Sequence, residues 1–112
     1  MANRIPWDIY ESALILDTYL RIEKGEIAFR EAVFQLSEAL RKKATNAGMD
    51  IDYAYRNQNG IAKQLGCMKY VVTDGKHGFS HTSKIYYEIV HIYRTEYERY
   101  LQILCQAQQM IE

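Results

Sequence analysis

The stretch "RNQNGIAKQLGCMKYV", residues 56–71, indicates the fold most directly. Its apolar residues recur at intervals of four, three and four, which places them on one side of a helix: Ile61, Leu65, Met68 and, just beyond the stretch, Val72. Asn57 or Asn59 can cap that helix by accepting a hydrogen bond from a free backbone N–H group. The pattern therefore predicts a capped helix from about Asn59 to Thr73, with one side in a core.

Amphipathic patterns on either side of this stretch predict three more main helices. Two precede it, from about Trp7 to Lys24 and from about Ile27 to Ala44, and one follows, from about Ser83 to Ile111. At about 1.5 Å per residue, a single helix over the last range would be about 42 Å long. Because that exceeds the diameter of a small domain, we expect this helix either to break near Arg94–Thr95 or to project onto a neighbour.

The composition of the 112 residues fits one globular domain. Hydrophobic residues make up 48% of the chain and charged residues 25%, which is too apolar a balance for a disordered protein. One proline and six glycines, mostly between the periodic runs, favour few and long elements. We therefore expect an all-α, compact bundle of four main helices over residues 1–112, either alone or as the N-terminal module of a larger protein.

The sequence has no pattern typical of a membrane or secreted protein. No uninterrupted apolar run approaches the roughly 18 residues that cross a bilayer, and the N-terminus lacks the apolar stretch of a secretory signal. Cys67 and Cys105 lie far apart without a C-x-x-C motif, so two buried, reduced thiols are expected. These features predict a cytoplasmic protein.

No arrangement of residues indicates catalysis. The spacing of Asp74, His77 and His81 could suit a metal ion, but no fourth ligand is present, and exposed or capping histidines are favoured. Phosphate-binding and dinucleotide-binding glycine motifs and a nucleophile elbow are absent from the sequence. The carboxylates of the first helix are expected on its solvent side or at its start: Asp8, Glu11 and Asp17. We therefore predict no enzyme activity, no cofactor and no metal.

Positive charge is concentrated in the middle of a chain whose net charge is zero. Residues 56–84 hold five Lys or Arg and one Asp, a net charge of +4, whereas residues 1–55 and 85–112 are each at −2. Either these cations only solvate a surface, or an anionic partner binds at this segment, and DNA is the partner that we expect. The cations expected at DNA phosphates are Arg56, Lys63, Lys69, Lys76 and Lys84.

Polar residues at the start of the predicted third helix extend this site. Asn57, Asn59 and Gly60 combine a cap with a position where a phosphate can approach closely, and a helix N-terminus favours anions. The arrangement is similar to a helix-turn-helix recognition element, with Asn59 or a neighbouring glutamine available to base edges. The simpler interpretation is that these residues cap a structural helix while Arg56 ties down a loop. Both interpretations remain open at the level of sequence.

Longer blocks of the chain resemble a known bacterial module: "PWDIYESALILDTYLR", "LSEALRKKA", "YRNQNGIAKQLGCMKYV" and "GKHGFSHTSKIYYEIVHIY". Over most of residues 6–94 they resemble the small N-terminal module of HNH-type restriction endonucleases and of related clostridial-type multidomain proteins. The most specific part is an R-N-x-N-G block, which is matched by Arg56, Asn57, Asn59 and Gly60. The resemblance implies a non-catalytic, DNA-associated accessory module of a restriction, defence or regulatory protein.

Tyrosines of the last predicted helix indicate an alternative function without nucleic acid. They recur near one side of the helix, and such residues are favoured where a partner covers a surface, although a core position is the more common outcome. The expected interface, toward a second copy or another domain, consists of Tyr93, Tyr97 and Tyr100. Three other tyrosines flank the positive segment and could stack on exposed bases: Tyr53, Tyr55 and Tyr70.

Overall fold

The computed structural model describes residues 5–112, and this range contains five α-helices. They are α1 (Ile9–Glu23), α2 (Phe29–Asn46), α3 (Gln58–Val72), α4 (Lys84–Thr95) and α5 (Tyr97–Gln109). The described residues form no strand, so the all-α prediction is confirmed, with five helices in place of four. None of these helices combines the length and the apolar character needed to cross a membrane.

Helix α1 is the centre of the bundle, and each of the other four helices packs against it. Every residue from Glu11 to Leu16 is buried, and consecutive residues point in all directions around a helix. Such a helix needs neighbours on all sides. The others surround it in chain order, with α2 beside α3, α3 beside α4 and α4 beside α5. The result is a body of 35 × 29 × 27 Å.

The predicted long C-terminal helix is two helices, because the chain bends at Glu96. This residue has φ −139° and ψ 59°, outside the helical range, and separates Thr95 from Tyr97. The bend lies close to the expected break, whereas the alternative of a projecting helix is wrong. A straight helix would carry its second half away from the core. The bend instead allows α5 to pack on α1, where it buries Tyr100, Leu104 and Ala107.

Residues 73–83, the crossover loop, run back along the outside of α3. The Phe79 N–H group donates to the carbonyl oxygen of Gly66 at 3.1 Å. Two residues later, the carbonyl oxygen of His81 accepts a hydrogen bond from the Cys67 thiol, with an S···O distance of 3.4 Å. The loop therefore covers part of the outer surface of α3 between its middle and its C-terminus.

Because the loop returns along α3, helices α3 and α4 point in the same direction. At the start of α4, the Tyr86 hydroxyl donates to Gln64 Oε1 at 2.6 Å. At its end, Arg94 Nη2 donates to the carbonyl oxygen of Val72, the last residue of α3, at 2.8 Å. These two contacts fix the register of α4 beside α3.

The connections on both sides of α3 are long. Residues 47–57 precede it and residues 73–83 follow it, whereas a helix-turn-helix joins its helices through about three or four residues. The first connection is an ordered loop, held to α2 by Arg41, whose Nη1 donates to the carbonyl oxygens of Asp52 and Tyr55. The helix-turn-helix element is therefore not confirmed.

Candidate nucleic-acid interface

The side chain of Arg56 is buried in the bundle. Its Nε donates to Glu11 Oε2 at 2.8 Å and its Nη2 donates to Glu11 Oε1 at 3.1 Å. The side chains of the pair are 8% and 4% exposed, and the Arg56 guanidinium carbon lies 3.6 Å from the centroid of the Trp7 ring. Its charge is neutralised and covered on one side by an aromatic ring. Arg56 therefore holds a loop to α1, as the simpler interpretation of the sequence states, and its Nε and Nη2 groups are already hydrogen-bonded within the protein.

Glu11 lies at the start of α1, one of the two places expected for the acidic residues, but it does not face solvent. It is buried, and it forms a capping box with Asp8: the Glu11 N–H group donates to Asp8 Oδ1, and the Asp8 N–H group donates to Glu11 Oε1. Asp8 itself is exposed and pairs with Lys43 at 3.0 Å. Asp17 is partly buried, and desolvation raises the pKa of its carboxyl. Glu11 is buried because the Arg56 loop docks on it.

The start of α3 follows the predicted cap. The Oδ1 atom of Asn57 accepts a hydrogen bond from the Gly60 N–H group at 2.8 Å. A Cβ atom at Gly60 would lie 3.3 Å from that same oxygen, so the glycine leaves room for the cap. Asn59 is exposed beside Gln58. Among the predicted residues at the start of α3, Asn59 therefore has an exposed side chain that makes no hydrogen bond within residues 5–112.

The other four predicted cations differ from Arg56: Lys63, Lys69, Lys76 and Lys84 are all exposed. Within residues 5–112, none of them has a carboxylate within ion-pair distance. The one acid of the segment, Asp74, pairs instead with Arg94 at 3.1 Å. The middle of the chain therefore keeps four positive charges that no carboxylate of the described residues neutralises.

These lysines lie on α3, on the crossover loop and at the start of α4. Gly78 lies directly on Lys69, since a Cβ atom added to it would come within 3.2 Å of the Lys69 Cβ atom, and Lys76 belongs to the same loop. Lys63 is close to Cys67: burial raises the pKa of the Cys67 thiol and the Lys63 ammonium opposes that rise. Lys84 begins α4 directly after the loop. We call the outer side of α3 and the loop, with these four lysines, the lysine face.

Phe79 is a residue of this face that the sequence analysis missed. Its side chain is 54% exposed although it lies on Gly66, where an added Cβ atom would come within 2.4 Å of the ring. The available signal was a single phenylalanine in the polar loop sequence "TDGKHGFSHTS". Of the tyrosines considered for base stacking, Tyr53 is exposed on the loop before α3, and the Tyr55 ring lies 4.7 Å from the Arg56 guanidinium.

The tyrosines of the predicted interface form a cluster across the α4–α5 bend. The Tyr93 ring lies 5.0 Å from the Tyr100 ring and 5.6 Å from the Tyr97 ring, both edge to face. Tyr100 is buried in the core and Tyr93 is partly buried, whereas Tyr97 is exposed. Two of the three tyrosines therefore serve packing within the chain, and Tyr97 is the member with surface to offer a partner.

The described residues contain no group of three His, Cys, Asp or Glu side chains that could hold a metal ion. Asp74, one of the residues considered for such a site, is paired with Arg94. Cys67 is buried as predicted, whereas Cys105 is exposed, which corrects the expectation of two buried thiols. Cys105 lies on the outer side of α5, where no other helix covers it.

No protein-family model, curated protein or solved structure matches this chain. The resemblance to the module of HNH-type endonucleases therefore stays a prediction that rests on the sequence blocks.

Proposed function

We propose that this protein is a non-catalytic DNA-binding module, an accessory unit of a bacterial restriction, defence or regulatory protein in the cytoplasm. The observation that supports the proposal is the lysine face, whose four lysines are exposed and have no carboxylate partner among the described residues. A surface with one sign of charge attracts a polyanion and releases the counterions of its phosphates on binding.

Some of the other surface cations of the molecule are paired with carboxylates. Lys43 pairs with Asp8, Arg21 with Glu26, and Arg99 with Glu96. A cation with a nearby carboxylate gains less from a phosphate, because it must first leave its partner. The four lysines have no such cost, which is also true of Lys24, Arg30 and Lys42 at the end of α1 and on α2. The four differ from those in belonging to α3, the crossover loop and the start of α4, so they are the ones that we expect at phosphates.

The shape of the face favours contacts to the nucleic-acid backbone over insertion of α3 into a groove. The crossover loop covers α3 at Gly66 and Tyr70, so this part of the helix does not reach a base edge. The first turn stays open, and there Gln58 and Asn59 are exposed amides. The proposed contact is therefore mostly independent of sequence, with base readout limited to that turn.

A fluorescence anisotropy titration of duplex DNA at about 50 mM salt tests this proposal. Contacts from all four lysines give a slope of log Kobs against log salt of about −3.6, since each phosphate contact contributes about −0.9. The variant Lys63→Glu/Lys69→Glu should weaken binding for all sequences and make the slope shallower. The matched control is Lys42→Glu/Arg99→Glu, which makes the same charge change on α2 and α5. Absence of binding, or equal losses in both variants, contradicts the proposal.

The alternative proposal is a protein-interaction or oligomerisation module without nucleic-acid binding. Its support is the outer side of α5, where Tyr97 and Leu101 are exposed one helical turn apart. Sedimentation velocity distinguishes it: self-association that Tyr97→Glu/Leu101→Glu abolishes supports this alternative. A monomer at all concentrations removes the case for a second copy.

A further inference from the structure

An apolar groove of about 230 Å³ lies next to the lysine face. It is formed where α1, the start of α2, α3 and the crossover loop meet, and its principal lining residues are Tyr19, Ile22, Phe29, Ala62, Leu65 and Phe79. Phe29 and Phe79 are 50% and 54% exposed, so two phenylalanine rings line the groove and still face solvent. Pockets for drug-sized ligands are larger, about 300–1,000 Å³, so this groove has room for one planar ring system.

The position of Phe79 is enforced by the backbone. Its N–H group donates to the carbonyl oxygen of Gly66, and the absence of a Cβ atom at Gly66 admits the ring. Gly78, with φ +94°, approaches α3 so closely that a Cβ atom there would lie 2.3 Å from the same carbonyl oxygen. These three features hold an exposed aromatic ring against a helix. The backbone of the loop therefore holds the Phe79 ring in an exposed position.

The charges around Phe79 select the chemistry of its partner. Lys63 and Lys69 are about 120° apart around α3, and Gly66, on which the ring lies, is about midway between them. Lys69 also lines the groove, together with a single carboxylate, Glu23. An apolar peptide segment would use the groove but not the lysines. A nucleobase that carries its phosphates would use both.

We propose that this groove binds an unstacked base of a single-stranded nucleic acid, with Phe79 as the stacking surface and the lysine face on the flanking phosphates. The inference rests on the proposed nucleic-acid function and specifies its ligand. A base inside a duplex stacks on its neighbours and pairs with its partner, so it cannot enter the groove. A single strand offers the ring face of every base, which is why exposed aromatics beside cations are typical of proteins that bind single strands.

The test compares labelled oligothymidylate of about 15 nucleotides with a duplex of the same length by anisotropy at low salt. The single strand should bind more tightly than the duplex. Phe79→Ala should weaken single-strand binding roughly tenfold, whereas Phe34→Ala, which removes a ring of similar exposure (51%) from α2, should not. Ala62→Leu fills the groove while keeping Phe79 and all lysines, so it should also weaken single-strand binding. This variant provides the test if Phe79→Ala does not fold.

Two results together overturn this inference. The single strand and the duplex bind equally tightly, and Phe79→Ala and Ala62→Leu reduce binding no more than Phe34→Ala does. If Lys63→Glu/Lys69→Glu still binds nucleic acid more weakly than the wild type in that case, the proposed function stands and only the groove inference fails. If neither nucleic acid binds, and Phe79→Ala instead abolishes self-association in sedimentation, both proposals fail and the groove is a protein contact.

Discussion

Arg56 and the lysine face come from the same positively charged segment, yet they have opposite environments. Arg56 is enclosed, with two hydrogen bonds to Glu11 and the Trp7 ring on one side. The four lysines of the face are exposed and meet no carboxylate of the described residues. The comparison shows that a run of positive charge contains two kinds of cation. The difference is whether a carboxylate from another helix reaches the residue.

The two residue types suit these two environments. A guanidinium is planar, weakly hydrated and carries five donors. Arg56 donates from Nε and Nη2 to Glu11, and from Nη2 to the carbonyl oxygens of Ile5 and Pro6, each at 3.3 Å. A lysine ammonium is a compact and strongly hydrated charge. Burying it costs more, so lysine is the cation that stays at the surface. Residue type therefore separates the structural cation from the accessible ones in this segment.

The largest expected effect on stability comes from Arg56→Met. If this variant is as stable as the wild type, Arg56 does not differ from the lysines in the way described. The variant leaves the Glu11 carboxylate buried without a counter-charge, and such a loss costs about 3–5 kcal/mol of the free energy of unfolding. Urea denaturation measures it. The control Arg99→Met removes an exposed pair with Glu96 and should cost less than about 1 kcal/mol. Equal losses in the free energy of unfolding for the two variants would show that Arg56 is an accessible cation like Arg99.

A smaller effect is expected from Gly78→Ala, which separates the lysine face from the Arg56 site. The new Cβ atom would lie 2.3 Å from the Gly66 oxygen and 2.6 Å from the Tyr70 nitrogen, and neither backbone atom can move aside. We expect a loss of about 2–4 kcal/mol and a detached loop. Gly48→Ala is the matched control, since Gly48 also has a positive φ of +83° but nothing within 4 Å; it should cost about 1–2 kcal/mol.

Alkaline pH extends the comparison to the buried tyrosine hydroxyls of α4 and α5. Tyr86 is fully buried and donates to Gln64, and desolvation raises the pKa of both Tyr86 and Tyr100. An unfolded tyrosine ionises near pH 10, whereas the folded ones keep their protons to higher pH. Their contribution is therefore complete below about pH 10 and is lost above it, by about 1.4 kcal/mol per pH unit for each tyrosine.

Urea denaturation between about pH 8 and 11.5 measures this loss. In Tyr86→Phe the alkaline decrease in the free energy of unfolding should be smaller by the share of one tyrosine, and in Tyr86→Phe/Tyr100→Phe by the share of two. A wild-type stability that stays constant above pH 10 would show that these hydroxyls are accessible in the folded state.

The smallest effect on stability is expected from Lys63→Ala. An exposed lysine without a partner contributes little to folding, so the free energy of unfolding should change by less than about 0.5 kcal/mol. Nucleic-acid affinity should nevertheless fall, and the two measurements on one variant separate folding from binding. A loss of stability above about 1 kcal/mol would place Lys63 with Arg56 among the structural cations.

Much of each helix could be predicted from local patterns. The stripe in the opening stretch placed Ile61, Leu65 and Met68 in the core, and the Asn57 cap was one of the two predicted. The cap joins residues three positions apart, and the stripe repeats at the helical period. Such properties arise from neighbours along the chain. The sequence alone therefore determined the all-helical class and the start and core side of α3.

Contacts between distant residues were decided by the tertiary structure. Arg56 and Glu11 are 45 positions apart, and nothing in either helix pattern states that they meet. The bend at Glu96 and the exposed ring of Phe79 likewise depend on what the neighbouring helices and loop leave room for. Periodicity records which side of a helix is apolar but not which element covers it. For that reason the charges of the middle segment could be counted from the sequence, while only the packed bundle determined which of them reach solvent.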